Sequence, residues 1–302
     1  MEKIVTMRPG PPLPPPLPTA ATGPARARGA GHENFPVASR LLPARLRPAV
    51  MAFYRVVRAA DDIADAPDMA ARAKLAGLDA IEAGLRGRAG GDPRGPALRA
   101  ALAEVGRPGL ERHALAMLDA FRADVAARPC ADWEALMAYC RSSAVPVGRF
   151  LLELHGEGRD GQGASDALCC ALQVLNHLQD LGEDRRDLGR VYLPADMIAA
   201  AGGRAEGLAA RRLDPALRAA VDRALDACDP LLAEAAHLPG RLRSRRLAAE
   251  ARAIVVLARR LQRRLRRADP LAGRVAPARG DALAAALAAA AELARPRQGA
   301  GR

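Results

Sequence analysis

The chain has 302 residues, half of them hydrophobic and 26% charged, with a formal net charge of +12. That length suffices for one large core or two small ones. Only 3% of residues are aromatic, and alanine, leucine and arginine dominate, which argues against an all-β fold and for helices. No run of about 18 apolar residues occurs, so no membrane-spanning helix is expected.

In chain order, residues 1–30 are broken by prolines and lack the apolar stretch of a signal peptide, so a disordered leader is expected there. Prolines 43 and 48 precede an apolar-periodic segment that stops before Pro67, which predicts a helix over about 47–65. Further helices are predicted over 69–86, 96–105, 108–127, 131–155, 165–186, 214–236, 241–267 and 280–294. No strand pattern and no internal repeat is evident. The expectation is a single all-α domain over 31–295, a helical bundle around a central apolar cavity, followed by a disordered tail over 296–302.

The Gly-rich stretch 87–96 (GRAGGDPRGP) follows no strand and has neither GxGxxG nor GxxxxGK[ST] spacing, so it is read as a loop rather than a phosphate cradle. The arginine-rich segment near the C-terminus carries Leu247, Ala251, Ile254, Ala258, Leu261 and Leu265 at spacings of 4, 3, 4, 3 and 4, a core-facing stripe. Its arginines are read as a solvated face. Contact with an anionic membrane surface is the second reading, and nucleic acid is disfavoured because no aromatic residues are interleaved. The five cysteines have no CxxC spacing and fit reduced thiols in a cytoplasmic protein.

Two acidic segments carry the chemistry. In the first, Tyr54, Arg58, Asp61 and Asp65 form a polar stripe bordering the apolar stripe of Val50, Phe53, Val57, Ala60 and Ala64. Two carboxylates on one partly buried face repel. At an effective dielectric of about 20, unit charges 4 Å apart cost roughly 4 kcal/mol. Nearby arginine offsets part of this, and a divalent cation offsets more. In the second segment Asn176, Asp180 and Asp184 stand at i, i+4 and i+8, about 80° apart overall on a continuous helix. Val174, Leu175, Leu178 and Leu181 supply its apolar side. Facing each other, the two ladders would clamp several Mg²⁺ ions, and a diphosphate is the natural anionic partner. An apolar interior below suits a long hydrocarbon ester. The implied reaction is ionisation of an allylic or cyclopropylcarbinyl diphosphate.

DDIAD (61–65) and NHLQDLGEDRRDLGRVYLP (176–194) resemble the two aspartate-rich motifs of the squalene/phytoene synthases, and the segment 139–148 (YCRSSAVPVG) fits the same family. The resemblance spans about residues 32–275. It implies the class I isoprenoid-synthase fold, with Asp61, Asp65, Asn176, Asp180 and Asp184 holding Mg²⁺ and the diphosphate. It further implies that Arg58 and Arg190 contact the diphosphate and that Tyr54, Tyr139 and Tyr192 line the cavity near the reacting carbons. Ser142, Val147 and Gly148 are expected to make room for the substrate. ENFPVAS (33–39) and SSAVPVGR (142–149) look most like the hydroxysqualene-forming branch, which implies presqualene diphosphate and water as substrates. A sister enzyme would supply presqualene diphosphate and a separate reductase would consume the alcohol. No nicotinamide (NADPH) motif is seen. The alternative is the head-to-head condensation of two farnesyl or geranylgeranyl diphosphates. The expected location is cytoplasmic, with peripheral contact on the inner membrane surface as a further expectation.

Overall fold

The computed structural model describes residues 41–127 and 129–296. The expected leader and the last residues of the expected tail lie outside them. Every regular element among the described residues is a helix. They run α1 (Arg47–Asp65), α2 (Ala71–Leu85), α3 (Arg94–Glu104), α4 (Arg112–Val125), α5 (Trp133–Ser143), α6 (Val145–His155) and α7 (Gln162–Gln179). After these come α8 (Leu181–Glu183), α9 (Ala195–Ala200), α10 (Pro215–Ala227), α11 (Asp229–Ala235), α12 (Leu238–Arg241), α13 (Arg245–Leu265) and α14 (Arg279–Ala294).

The local chemistry explains the starts. Pro48 sits in the first turn of α1, where a missing N–H costs nothing. Asp132, Asp214 and Ser244 cap α5, α10 and α13 by accepting from the backbone N–H of Ala135 (2.8 Å), Leu217 (2.7 Å) and Leu247 (3.3 Å).

Three predicted helices are broken in the structure. The span 131–155 is split at Ala144, beside Pro146. The span 214–236 is split at Cys228, beside Pro230. In both cases the proline starts a new helix in its first turn. The span 165–186 ends at Gln179 and continues as α8 and a π-helical segment, Asp184–Leu188. The short α9 was not foreseen.

The apolar faces meet in two main cores. Phe53, Val56 and Ala60 of α1 pack with α2, α3, α4 and Phe150 of α6; the rings of Phe53 and Phe150 stack at 3.9 Å. Val174, Leu175 and Leu178 of α7 pack with α5, α9, α10 and α13. Leu247, Ala251, Ala258, Leu261 and Leu265 are buried as their spacing predicts, and Ile254 is partly buried.

The arginines of α13 are more engaged than a solvated face would be. Arg260 and Arg264 both reach Asp281 of α14 (3.0 and 2.6 Å), and Arg252 reaches Glu292 (3.2 Å). Arg266 pairs with Asp226 and Asp229. The pairs to Asp281 and Glu292 latch α14 onto α13, and Arg266, just past α13, ties its end to α10 and α11.

The glycines around the 87–96 loop have a packing role. A Cβ on Gly95 would lie 2.1 Å from the backbone carbon of Gly84, and one on Gly84 would lie 2.1 Å from the Asp92 carbonyl oxygen. Backbone touches backbone where α2 turns into α3, and neither side can yield as a flexible side chain would. Gly95→Ala is therefore expected to destabilise by about 3 kcal/mol, the upper end for overpacking. An unfolding free energy from urea denaturation within about 0.5 kcal/mol of wild type would contradict this close approach.

His113 of α4 is buried against Phe150 and contacts Glu153 Oε1 at 3.2 Å. Burial lowers its pKa below the usual 6.5, and Glu153 only partly opposes this. A histidine depressed on folding contributes stability above its unfolded pKa and loses it as pH falls. The unfolding midpoint should therefore drop through this residue as the pH falls below about 6.5. His113→Phe should flatten that part of the profile in chemical denaturation.

Candidate active site

The C-terminal half of α1 presents Asp61 and Asp65 one turn apart. Arg58 donates from Nη1 to Asp61 Oδ2 (3.0 Å) and from Nη2 to Asp62 Oδ1 (2.6 Å). The Asp61 side chain keeps 38% of its surface accessible, yet protein atoms enclose it on most sides. Burial and the charges of Asp65, Asp62 and Asp124 push its carboxyl up to about 7, against the pull of Arg58. Negative charge is thus in excess here.

Arg190 joins this end of α1 to the second acidic segment. Past α7 the chain turns through the π-helical segment and reverses at Gly189, whose φ of +66° a glycine adopts freely. That turn brings the Arg190 N–H to the Asp184 carbonyl (3.1 Å). It also aims the guanidinium at α1, where Nη1 donates to Asp65 Oδ1 (2.5 Å) and Nη2 to the Ala64 carbonyl (3.0 Å). Arg190 is only 9% exposed.

Beyond Arg190 lies an aromatic group. Tyr192 stacks on His177 of α7 with ring centroids 3.7 Å apart, and Tyr139 of α5 lies 5.1 Å from Tyr192. Asp124 of α4 accepts from both phenols, Tyr139 at 2.9 Å and Tyr192 at 2.8 Å. His177 sits 3.1 Å from Gln173 Nε2 and 3.7 Å from Asp184 Oδ2.

Of the expected site residues, Asp65, Arg190, Asp184, Tyr192 and Tyr139 are thus linked in one network, and Arg58 and Asp61 form a pair one turn before Asp65 on α1. Asp180 stands at the break after α7, with Arg274 Nε at 3.9 Å. Asn176 is partly buried on α7. Tyr54 and Arg58 also border an open recess of about 370 Å³ together with Asp62, Met69 and Arg94, on the flank of α1. Gly148 faces α7, where a Cβ would meet Ser165 Oγ at 2.6 Å and Cys169 Sγ at 2.7 Å. Val147 packs on the α1–α4 core, and Ser142 donates to the Tyr139 carbonyl at 2.9 Å. Asp124 and Arg274 carry no signal of their own in the sequence, being single residues outside any recurrent spacing, and His177, inside the second motif, reads there as an ordinary core or surface histidine.

Among the described residues no three His, Cys, Asp or Glu side chains already close on one point at metal-ligating distance. The donor set nonetheless fits a hard divalent cation. Asp61, Asp65, Asn176, Asp180 and Asp184 offer oxygen ligands, Asp61 sits among more negative charge than Arg58 offsets, and Mg²⁺ needs just one or two carboxylates beside water and phosphate.

A helical bundle with acidic segments on two helices, bridged by a buried arginine, is an architecture for handling phosphate esters. The squalene/phytoene synthase family model matches residues 29–281, and the chain belongs to that family of isoprenoid diphosphate-processing enzymes. It is 46% identical to the hydroxysqualene synthase of Rhodopseudomonas palustris over 80% of this chain and 82% of that one. It is 40% identical to the hydroxysqualene synthase of Zymomonas mobilis over 88% and 91%. The crystal structure of squalene synthase HpnC from Alicyclobacillus acidocaldarius matches with a TM-score of 0.69 and 32% identity, over 80% of this chain and 91% of that one. The fold is that of the class I terpenoid synthases.

Proposed function

We propose that this chain is a Mg²⁺-dependent hydroxysqualene synthase, converting presqualene diphosphate and water to hydroxysqualene and diphosphate. The observation that carries the chemistry is the Arg190 bridge, which draws Asp65 of α1 and the Asp184–Tyr192 segment to one place. The choice of branch is supported by the 40–46% identity to relatives of that name.

Asp61 and Asp65 on one side, and Asn176, Asp180 and Asp184 on the other, would hold Mg²⁺. When bound, it neutralises the diphosphate and makes it a better leaving group. Arg58 and Arg190 bind diphosphate oxygens through paired N–H donors, exchanging their present carboxylate partners. Tyr54, Tyr139 and Tyr192 border the reacting carbons. The electron-rich faces of the rings stabilise positive charge there. Cleavage of the C–O bond sends its electron pair to the diphosphate, the cyclopropane opens, and water adds to the resulting cation. Such a reaction needs a condensation upstream to make the cyclopropyl ester and a reduction downstream to remove the hydroxyl.

The purified protein is to be incubated with Mg²⁺ and either presqualene or farnesyl diphosphate, and the extracted products identified by mass spectrometry. Hydroxysqualene from the first substrate is the expected result. Presqualene or prephytoene diphosphate from allylic diphosphates alone would assign the condensation instead.

Peripheral contact with an anionic membrane belongs to the same reading, since substrate and product are lipids. Leu283 and Leu287 on α14 are 62% and 63% exposed, with Arg279 and Arg295 exposed at its two ends. Because Arg260 and Arg264 hold Asp281, the informative variant is Leu283→Ser/Leu287→Ser. It should lose co-sedimentation with anionic liposomes at low salt; equal sedimentation of both proteins would remove α14 as the contact.

A further inference from the structure

Asp124 belongs to neither aspartate-rich segment, yet it is the shared acceptor of two phenols, Tyr139 and Tyr192. Its Oδ2 accepts a hydrogen bond from the Tyr139 hydroxyl at 2.9 Å and its Oδ1 one from the Tyr192 hydroxyl at 2.8 Å. A phenol has one O–H to donate. With both donated to Asp124, each phenol oxygen has only lone pairs left for any further partner. A water beside them must therefore donate its hydrogen to a phenol and keep its own lone pair free.

We infer that Asp124 is a positioning residue that fixes the direction of this hydrogen-bond chain, so that the phenols orient the attacking water and pass its proton to the Asp124 carboxylate. The inference rests on the capture of a cation by water proposed above. The step balances. The water oxygen forms the new C–O bond, and its O–H bond breaks as the proton passes to a phenol oxygen. The same phenol's own proton moves to Asp124. Cation, water and carboxylate become alcohol and carboxylic acid, and the phenol is unchanged.

The surroundings suit a proton acceptor. Burial raises the Asp124 carboxyl above the usual aspartate value, while Arg190, the two phenols and His177 keep it from rising further. The ring nitrogens of His177 face Gln173 and Asp184 instead. The carboxylate is thus the base hydrogen-bonded to the phenols.

Asn in place of Asp124 keeps the size but accepts at one atom only and takes up no proton. Glu keeps the base. Wild type, Asp124→Asn and Asp124→Glu are compared with presqualene diphosphate and Mg²⁺, measuring both diphosphate release and the alcohol fraction of the extracted products. Circular dichroism confirms that each is folded. For Asp124→Asn the alcohol fraction is expected to fall at least tenfold, with elimination products in its place, while diphosphate release falls only several-fold. Asp124→Glu should recover the alcohol fraction to within about threefold of wild type. An unchanged alcohol fraction in Asp124→Asn would overturn the inference. So would a proportional loss of release and alcohol in both variants, which marks a merely structural role. Wild-type protein that releases diphosphate without forming any alcohol would instead overturn the proposed activity.

Discussion

Arg190→Met is expected to lower diphosphate release at least a hundredfold and to destabilise the fold by about 3 kcal/mol, the low end for removing one partner of a buried ion pair. Methionine keeps most of the volume and the apolar stem, so the change isolates the guanidinium. Its loss strands the Ala64 carbonyl and the Asp65 carboxylate, and takes the nearest cation from Asp124. Asp65 is partly solvated, at 36% exposure, which keeps the cost from reaching 5 kcal/mol. A double-mutant cycle with Asp65→Asn separates the pair from the rest. If Arg190 acts mainly through Asp65, the second substitution adds little to the first. Additive losses would show that Arg190 works through the Ala64 carbonyl instead. A variant with wild-type turnover would remove Arg190 from the diphosphate site.

Asp61→Asn is expected to abolish diphosphate release while making the unliganded protein slightly more stable. The Asp61 carboxylate is enclosed among like charges from Asp65, Asp62 and Asp124. Arg58 opposes this repulsion, and it retains Asp62 at 2.6 Å when Asp61 is neutralised. Removing the charge relieves repulsion with little loss of attraction. Solvent reaches the side chain, so the gain is small, about 1–2 °C in the unfolding temperature of a chain this size. Lost activity with raised stability is the signature of a group kept for function. Normal turnover by Asp61→Asn would show that the α1 carboxylates do not hold the metal, and a marked fall in Tm would show that Asp61 is structural.

Much of the fold is legible in the residues. α1 matches its predicted bounds because Pro48 and Pro67 bracket an uninterrupted stripe. Pro146 and Pro230 mark the breaks at Ala144 and Cys228 in the same way, although apolar spacing alone predicts continuous helices there, and no proline marks the break at Asp180. Apolar spacing carries across each of them, and periodicity reports which face is buried without reporting whether the backbone is continuous. α9 spans six residues, too few to show a period. In the site, Asp61, Asp65 and Asp184 stand out because repeated acidic residues beside an apolar stripe are conspicuous. Asp124 does not, because its role comes from α4 lying across α5 and the segment after α7, a tertiary juxtaposition without a local pattern. Gly148 was expected beside the substrate; its close approach to α7 depends on Ser165 and Cys169, sixteen and more positions along the chain.

The carboxylates and guanidiniums of the site hold one another: Arg58 on Asp61, Arg190 on Asp65, Arg274 near Asp180. A resting site so arranged is its own competitor. Each incoming oxygen anion must displace an internal counter-charge, so measured affinity is a difference between two sets of contacts. Dense charge wins that exchange and sparse charge does not, which favours a diphosphate over a monophosphate. A neutral alcohol has nothing with which to contest the internal pairs. Their re-formation would offset part of the cost of releasing the product anion.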